Sequence, residues 1–364
     1  MGELRIPGPT PCPSEVLQAM ARQMINHRGA EFIEILPDVT EKLKQVFQTK
    51  NDVFVLTGSG TGGLEAAVVN SLSPGDKVLS VSIGVFGDRF ANIAKQFGAE
   101  VISYSVEWGK AARPDAIRQF LKDEPEIKAV LVTHNETSTG VTNDLASISS
   151  VVKEFDKLLL VDAISSLSSI DCPVDKWNLD VVITGSQKGW MVPPGLTMIS
   201  VSPEAWKAQA EAKMPRVYWD FAQAKRYLER GQTPWTPAVS ILFALSVALD
   251  MMLKEGLPNI ISRHTQIGKT VREGAKSMGL SLFAEEAYAS NTVTSISSSN
   301  GLDTKKLLRI LREEHQIVLG GGQQKLDGKI FRIGHLGWVN EDNIKTVMSA
   351  LKAALPQAGF VAAR

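Results

Sequence analysis

The feature that most constrains this fold is the alternation of short apolar runs with helical patterns. Strand-like runs rich in Val, Ile and Leu recur at 53–57, 77–82, 100–105, 129–133, 157–162, 181–184 and 197–201. Such alternation predicts βαβ units and a largely parallel sheet with helices on both faces. Because runs such as 158–161 are continuously apolar, we expect their strands to be buried on both sides.

A Gly/Pro break after Glu255 predicts a boundary between two domains. The chain has 364 residues, and a single core stops growing at about 250 to 300 residues. We therefore expect an N-terminal arm at 1–15, a large α/β domain at 16–255 and a small C-terminal α+β domain at 256–364. The elements expected in the small domain are a helix at 304–314, a strand at 329–333 and a helix at 341–355.

Charge and composition argue against several classes of function. The chain has 39 basic and 39 acidic side chains, so it offers no electrostatic reason to bind nucleic acid or an anionic membrane. The five histidines show no metal-ligand spacing, so no metal site is expected. The longest apolar stretch, 239–253, is interrupted by polar residues and is shorter than the roughly 20 residues that span a bilayer.

The cysteines and the N-terminal residues predict a location. Cys12 and Cys172 have no short spacing between them, which is typical of a reducing compartment. The first ten residues contain no apolar stretch that would serve as a signal sequence. We therefore expect a cytoplasmic protein.

A glycine-rich turn between a strand and a helix predicts a phosphate site. Residues 58–63, Gly-Ser-Gly-Thr-Gly-Gly, follow the strand at 53–57 and precede a helical run that begins at Leu64. Glycines let backbone amides approach an anion at a helix N-terminus, where the helix dipole also favours negative charge. The turn lacks the Lys-Ser/Thr pair of a P-loop. A small phosphorylated cofactor fits it best.

A nicotinamide-dependent oxidoreductase is the alternative interpretation of this turn. Gly58, Gly60 and Gly63 satisfy the pattern G-x-G-x-x-G of dinucleotide-binding folds. Such folds place an acid at the end of the second strand, where it binds the ribose hydroxyls. Here that strand ends at Ser82 with no acid nearby.

An aspartate and a lysine follow two successive predicted strands. Asp162 ends the strand at 157–162, and Lys188 lies in the turn after the strand at 181–184. Pyridoxal phosphate needs a lysine for an imine, an acid that keeps its ring nitrogen protonated, a phosphate-binding turn and a flat group over the ring. The chain supplies each of these, with Phe86 as the candidate stacking group.

Several segments along nearly the whole chain resemble the class V, fold-type I aminotransferases, in their serine/alanine–glyoxylate branch. These segments are 7–10 (PGPT), 59–61 (SGT), 134–140 (HNETSTG), 161–163 (VDA), 186–188 (SQK), 193–196 (PPGL) and 331–335 (FRIGH). The resemblance implies a fold-type I pyridoxal-phosphate transferase. It would have a large, mostly parallel seven-stranded sheet domain and a smaller C-terminal α+β domain.

The resemblance also implies roles for individual residues. Lys188 matches the catalytic lysine that forms the imine and moves a proton, and Asp162 matches the acid that pairs with the ring nitrogen. Arg332 matches the arginine that binds the substrate α-carboxylate. The cofactor-binding residues implied are Ser59, Gly60, Thr61, Phe86, Thr137, Asp162, Gln187, Lys188 and Thr236.

Thr236 resembles a threonine that completes the phosphate cup from a neighbouring subunit, which implies a homodimer with shared sites. The chain departs from the family pattern at two positions. Phe86 stands where many relatives have Trp, and Thr61 stands where some relatives have His. Phosphate binding is therefore expected to depend more on backbone amides.

The implied reaction is transfer of the amino group of a small L-amino acid, alanine or serine, to a small 2-oxo acid, glyoxylate. It would follow a ping-pong mechanism through a Lys188 imine. No obvious second arginine serves a donor side-chain carboxylate, although Arg5, Arg28 and Arg89 remain open for that role.

Two other interpretations concern relatives of the same family. A cysteine desulfurase needs a reactive cysteine on a late loop, whereas Cys12 and Cys172 both lie early in the chain. A non-catalytic subunit of a larger complex would not need the complete set of cofactor residues.

Overall fold

The computed structural model describes residues 2–361, and strands and helices alternate along most of this length. The strands are β1 (Glu3–Arg5), β2 (Asp52–Gly58), β3 (Lys77–Ser82), β4 (Glu100–Ser105), β5 (Ala129–Thr133), β6 (Asn135–Glu136), β7 (Val141–Thr142), β8 (Leu158–Asp162), β9 (Val181–Gly185), β10 (Gly195–Val201), β11 (Val293–Ser297), β12 (Ile317–Gly321) and β13 (Ile330–Gly334). The helices are α1 (Ser14–Met20), α2 (Ala30–Phe47), α3 (Gly60–Ser71), α4 (Val85–Gln96), α5 (Pro114–Asp123), α6 (Leu145–Glu154), α7 (Pro203–Glu211), α8 (Phe221–Leu228), α9 (Val239–Glu255), α10 (Leu257–Ser277), α11 (Thr304–Glu314) and α12 (Glu341–Gln357).

The larger sheet has seven strands in the order β2-β10-β9-β8-β5-β3-β4. β10 is antiparallel to both of its neighbours, and the other pairs are parallel. The predicted α/β fold with a mostly parallel sheet is therefore confirmed. Every residue of β5 and β9 is buried, as their continuous apolar sequences predict.

Helices cover both faces of this sheet and enclose two apolar cores. In β2, Val53 and Val55 pack into one core, while Phe54 and Leu56 pack into the other, because successive side chains of a strand point to opposite faces. Each buried side chain of this size contributes about 1.5 to 3 kcal/mol relative to an exposed one. Along 2–361, no helix combines the length and the apolarity needed to cross a membrane.

A second sheet, with strand order β1-β12-β13-β11, forms around a third apolar core in the C-terminal part of the chain. Its first strand comes from the N-terminal segment, since β1 pairs in parallel with β12. Gly256, at φ 84°, separates α9 from α10 at the predicted break. The helix predicted at 304–314 is confirmed as α11. The division into domains at 1–15, 16–255 and 256–364 stays a prediction, and its outermost residues, 1 and 362–364, lie outside the described part.

The carboxyl ends of six strands of the larger sheet lie at one edge. β9, β8, β5, β3 and β4 run in the same direction, and β2 runs with them because both it and β9 are antiparallel to β10. The segments that follow these strands therefore meet. In open α/β sheets ligands bind outside such an edge.

Candidate active site

A cavity of about 240 Å³ lies at this edge of the sheet. It is lined by most of the residues that the sequence predicts for a cofactor site, namely Ser59, Gly60, Thr61, Phe86, Thr137, Asp162, Gln187 and Lys188. Two predicted site residues, Arg332 and Thr236, are not part of this lining. Gly8, Pro9, Arg89, Asn135 and Ser165 also line the cavity, and sequence reasoning assigned none of them a role in cofactor binding.

The glycine-rich turn places a helix N-terminus against the cavity. Ser59 is the N-cap of α3, and its side chain makes no capping hydrogen bond. The N–H groups of the first helical turn are therefore free for a ligand. A Cβ added to Gly60 would lie 2.5 Å from Ile164 Cδ1, and one added to Gly63 would collide with the Thr197 hydroxyl. Glycine is needed at both positions for α3 to pack this closely.

Asp162 is buried at the end of β8, with 3% of its surface exposed. Its Oδ1 accepts from the Ile164 backbone N–H at 3.0 Å, and its Oδ2 accepts from the Thr133 hydroxyl at 3.4 Å. Burial raises the pKa of this carboxyl to about 7. A positive charge beside it would lower that pKa again, so the site favours a cationic group next to Asp162.

Lys188 lies in the turn after β9, and its amine lines the same cavity as Asp162. Burial lowers the pKa of this amine to about 8, against the opposing effect of the Asp162 charge. Nζ donates to the backbone carbonyl of Pro7 at 2.6 Å. The N-terminal segment therefore reaches into the site, a contact that no local sequence pattern predicts.

Glu136 is a buried acid that sequence reasoning missed. Its Oε2 accepts from the backbone N–H groups of Phe86 and Gly87 at 3.0 and 3.1 Å, at the N-terminus of α4. Its Oε1 accepts from the hydroxyl of Ser138 at 2.6 Å. Burial raises the pKa of this carboxyl. Glu136 thus holds the start of α4, and with it Phe86, against the segment after β5.

Arg332 extends from β13 towards the segment that contains Thr137. Its Nη1 donates to the Thr137 carbonyl at 2.8 Å, and its Nε donates to the Gly321 carbonyl at 2.8 Å. Burial lowers the pKa of this guanidinium to about 10, so it stays charged at neutral pH. Arg332 therefore places a positive charge next to Thr137, a residue that lines the cavity.

Arg5, Arg28 and Arg89, the three arginines left open for a donor side-chain carboxylate, differ in their surroundings. Arg5 donates to Glu3 Oε1 at 2.6 Å and to a backbone carbonyl. Arg28 donates to the carbonyls of Thr233 and Pro234 at 2.6 and 3.1 Å. Both are thus occupied by the protein, whereas Arg89 lines the cavity.

Thr236 lies on the surface, outside the cavity. It shares a small depression with Tyr218 and Trp235, whose rings stack at 6.1 Å with an interplanar angle of 12°. Tyr218 and Trp235 are 44% and 37% exposed. Thr236 does not line the cavity of its own chain.

Neither cysteine meets the requirement of a desulfurase. Cys172 is buried, Cys12 is half-buried, and neither lines the cavity. Burial raises the pKa of both thiols, which makes them poor nucleophiles at neutral pH.

The family model described as aminotransferase class-V matches residues 4–330 of this chain. The soluble hydrogenase 42 kDa subunit of Anabaena cylindrica is 44% identical, over 98% of this chain and 94% of that protein. The serine–glyoxylate aminotransferase of Methylorubrum extorquens is 36% identical, over 97% of this chain and 90% of that protein.

A solved structure extends this likeness to three dimensions. The alanine–glyoxylate aminotransferase of Nostoc sp. superposes with a TM-score of 0.93 and 31% identity, covering 97% of this chain and 95% of that one. These matches favour the aminotransferase interpretation over a nicotinamide-dependent oxidoreductase.

Proposed function

Since the chain belongs to the class-V aminotransferase family, we propose that it transfers the amino group of a small L-amino acid to a small 2-oxo acid. The proposed donor is alanine or serine, and the proposed acceptor is glyoxylate. The oxo-acid product of the donor leaves before glyoxylate binds, which is a ping-pong route. The names of the Methylorubrum and Nostoc proteins support this choice of substrates. The observation that carries the proposal is that Lys188 and Asp162 line one cavity together with the N-terminus of α3.

The proposed cofactor is pyridoxal 5'-phosphate, on which the family depends. When bound, it supplies an electron sink for the negative charge that develops at the substrate Cα. The glycine-rich turn and Gln187 would hold its phosphate, Phe86 would cover its ring, and Thr137 would donate to its ring hydroxyl. The free N–H groups of α3 and the close approach at Gly60 support this fit.

Lys188 and Asp162 are the proposed catalytic residues. With a pKa of about 8, about a tenth of the Lys188 amine is uncharged at pH 7, and the uncharged form can act as a nucleophile and accept a proton from the substrate Cα. Asp162, ionised beside a cation, keeps a ring nitrogen protonated. Both roles depend on the dry environment that perturbs their pKa values.

Arg332 is the proposed ligand of the substrate α-carboxylate, because a planar guanidinium suits a planar carboxylate. Its bond to the Thr137 carbonyl holds it beside the cavity. Arg5 and Arg28 donate to protein acceptors, and of the three arginines left open for a donor side-chain carboxylate Arg89 is the one that lines the cavity.

We also propose a homodimer in which Thr236 completes the phosphate cup of the partner subunit. Thr236 is exposed and lies apart from the cavity of its own chain, beside the exposed aromatic pair Tyr218 and Trp235. Exposed aromatic rings of this kind are enriched at protein interfaces. The free thiols of Cys12 and Cys172 support the proposed cytoplasmic location.

The name of the Anabaena relative describes a subunit of a soluble hydrogenase. A purely structural subunit would not need a lysine and an aspartate with perturbed pKa values in one cavity. The pairing of Lys188 and Asp162 in one cavity therefore supports an enzyme rather than a non-catalytic subunit.

Visible absorption of the purified protein tests the proposal directly. After incubation with pyridoxal phosphate and removal of the excess, we expect a yellow protein. L-Alanine or L-serine alone should bleach the colour, and glyoxylate should restore it. Lys188→Ala should abolish this cycle, while exposed Lys95→Ala on α4 should leave it unchanged. A colourless wild-type protein, or full turnover by Lys188→Ala, would contradict the proposal.

A further inference from the structure

Arg89 lies at the edge of the cavity on α4, one helical turn after Phe86. Its Nη1 donates to the hydroxyl oxygen of Thr61 at 3.3 Å. Its guanidinium carbon lies 4.8 Å from the centroid of the Phe86 ring, a distance at which a cation is attracted to an aromatic face. Arg89 is therefore held between the glycine-rich turn and the ring that is proposed to cover the cofactor.

Most of the hydrogen-bonding capacity of Arg89 is unused. A guanidinium has five N–H donors, and the bond to Thr61 is its one side-chain hydrogen bond within residues 2–361. No Asp or Glu of the described chain forms an ion pair with it, in contrast to Arg5 and Arg118. Its free donors lie beside the cavity that it lines.

The charge of a bound phosphate calls for a cationic side chain such as Arg89 in addition to the N-terminus of α3. A phosphate monoester carries a charge of about −1.5 to −2 at neutral pH, and the N-terminus of α3 offsets only about half a charge. Lys188 and Arg89 are the cationic residues that line the described cavity. Because Lys188 is committed to the reacting end of the cofactor, Arg89 is the lining cation that remains for the phosphate.

We propose that Arg89 is the cationic ligand of the cofactor phosphate. It would bind by its planar guanidinium, which matches phosphate oxygens in geometry. This inference rests on the proposed function, since it requires pyridoxal phosphate in the cavity. The contact with Thr61 favours the phosphate over a substrate side-chain carboxylate, because Thr61 belongs to the phosphate-binding turn.

The test compares two ligands that differ only in the phosphate. Apoprotein is titrated with pyridoxal phosphate and, separately, with pyridoxal, and the dissociation constants are read from tryptophan fluorescence. The proteins are the wild type, Arg89→Gln, Arg89→Lys and the control Lys95→Gln, which removes an exposed positive charge from the same helix.

We expect Arg89→Gln to raise the Kd of pyridoxal phosphate by at least about tenfold, the loss of one charge-assisted hydrogen bond. The Kd of pyridoxal should stay unchanged, Arg89→Lys should recover part of the loss, and Lys95→Gln should behave as the wild type. Inorganic phosphate should compete with pyridoxal phosphate less effectively in Arg89→Gln than in the wild type.

Two results would overturn the inference. One is an unchanged Kd of pyridoxal phosphate in Arg89→Gln; if the KM for L-aspartate alone also rose, Arg89 would be assigned to an acidic donor. The other is an equal loss for pyridoxal phosphate and pyridoxal, which would mean that Arg89 acts only by packing on Phe86. A wild-type protein that binds no pyridoxal phosphate would instead refute the proposed function.

Discussion

The Nη1 of Arg332 donates to the backbone carbonyl of Thr137 across 2.8 Å, which joins β13 of the second sheet to the cavity edge of the larger one. The bond fixes the position of a buried positive charge beside the site. Arg332 is the residue proposed to bind the substrate carboxylate. Its orientation therefore depends on how the two sheets pack together, and not on β13 alone.

Replacing Arg332 tests its role in substrate binding. Arg332→Gln keeps a donor near the Thr137 carbonyl but removes the charge, so we expect kcat/KM for L-alanine and L-serine to fall by about 10- to 100-fold, mainly through KM. The exposed Arg309→Gln on α11 is the control and should behave as the wild type. An unchanged KM in Arg332→Gln would exclude Arg332 as the carboxylate ligand.

Sequence reasoning predicts the residues that follow buried strands, because the end of a strand is local information. The sequence therefore predicts that Asp162 and Lys188 follow two buried strands, and the shared direction of these parallel strands brings both residues to one cavity. The contact of Pro7 with Lys188 joins segments 181 residues apart, so no local pattern reports it. Glu136 lies inside the HNETSTG segment, but its bonds to the N-terminus of α4 depend on how β5 and α4 pack.

Local sequence also cannot decide which of three arginines could bind a donor side-chain carboxylate, because that depends on contacts with distant segments. Arg5, Arg28 and Arg89 are chemically identical, and only their neighbours distinguish them. Two of them bind backbone carbonyls of distant segments, and one lines the cavity.

The pKa of Lys188 predicts how cofactor uptake depends on pH. Below the pKa of about 8, the uncharged fraction of the amine falls about tenfold for each pH unit, so the rate of colour formation with pyridoxal phosphate should fall equally. Above that pKa the rate should level off. Because the Asp162 charge raises this pKa, Asp162→Asn should move the midpoint to lower pH. Rapid-mixing absorbance measures both profiles, and a pH-independent rate would contradict the assignment of Lys188.

His264 predicts a pH-dependent contribution to stability. It is fully buried, its Nδ1 hydrogen-bonds to the Ile260 carbonyl, and its Nε2 accepts from the Gly337 N–H at 3.0 Å. Burial lowers its pKa from 6.5 to about 3, so the unfolded chain takes up the proton first as the pH falls. The stabilisation from His264 is thus complete above pH 6.5 and declines below it, by about 1.4 kcal/mol per pH unit.

Urea unfolding of the wild type and His264→Gln measures this decline. The difference in the free energy of unfolding between them should shrink by about 2 kcal/mol between pH 6.5 and about pH 5. Taking the difference cancels the contributions of other groups, including Asp162, whose raised pKa acts in the opposite direction. A difference that is the same at both pH values would mean that His264 is not held neutral by burial.

Mixing two impaired variants tests the shared site. If Thr236 completes the phosphate cup of the partner subunit, a chain with Lys188→Ala still supplies a normal Thr236, and a chain with Thr236→Ala still supplies a normal Lys188. Their mixed dimer then contains one intact site. With random pairing, about a quarter of all sites in the mixture should be intact. Activity at limiting pyridoxal phosphate should therefore rise above that of either variant alone.

The control mixes Lys188→Ala with a chain that carries both substitutions, which supplies no normal lysine and should stay inactive. Thr236→Ala alone should raise the Kd of pyridoxal phosphate by about tenfold, because it removes one hydrogen bond to a charged group. If Thr236 instead served its own chain, every site with a normal Lys188 in the mixture would lack Thr236, and no activity would be recovered. The mixture therefore distinguishes a shared site from one built by a single chain.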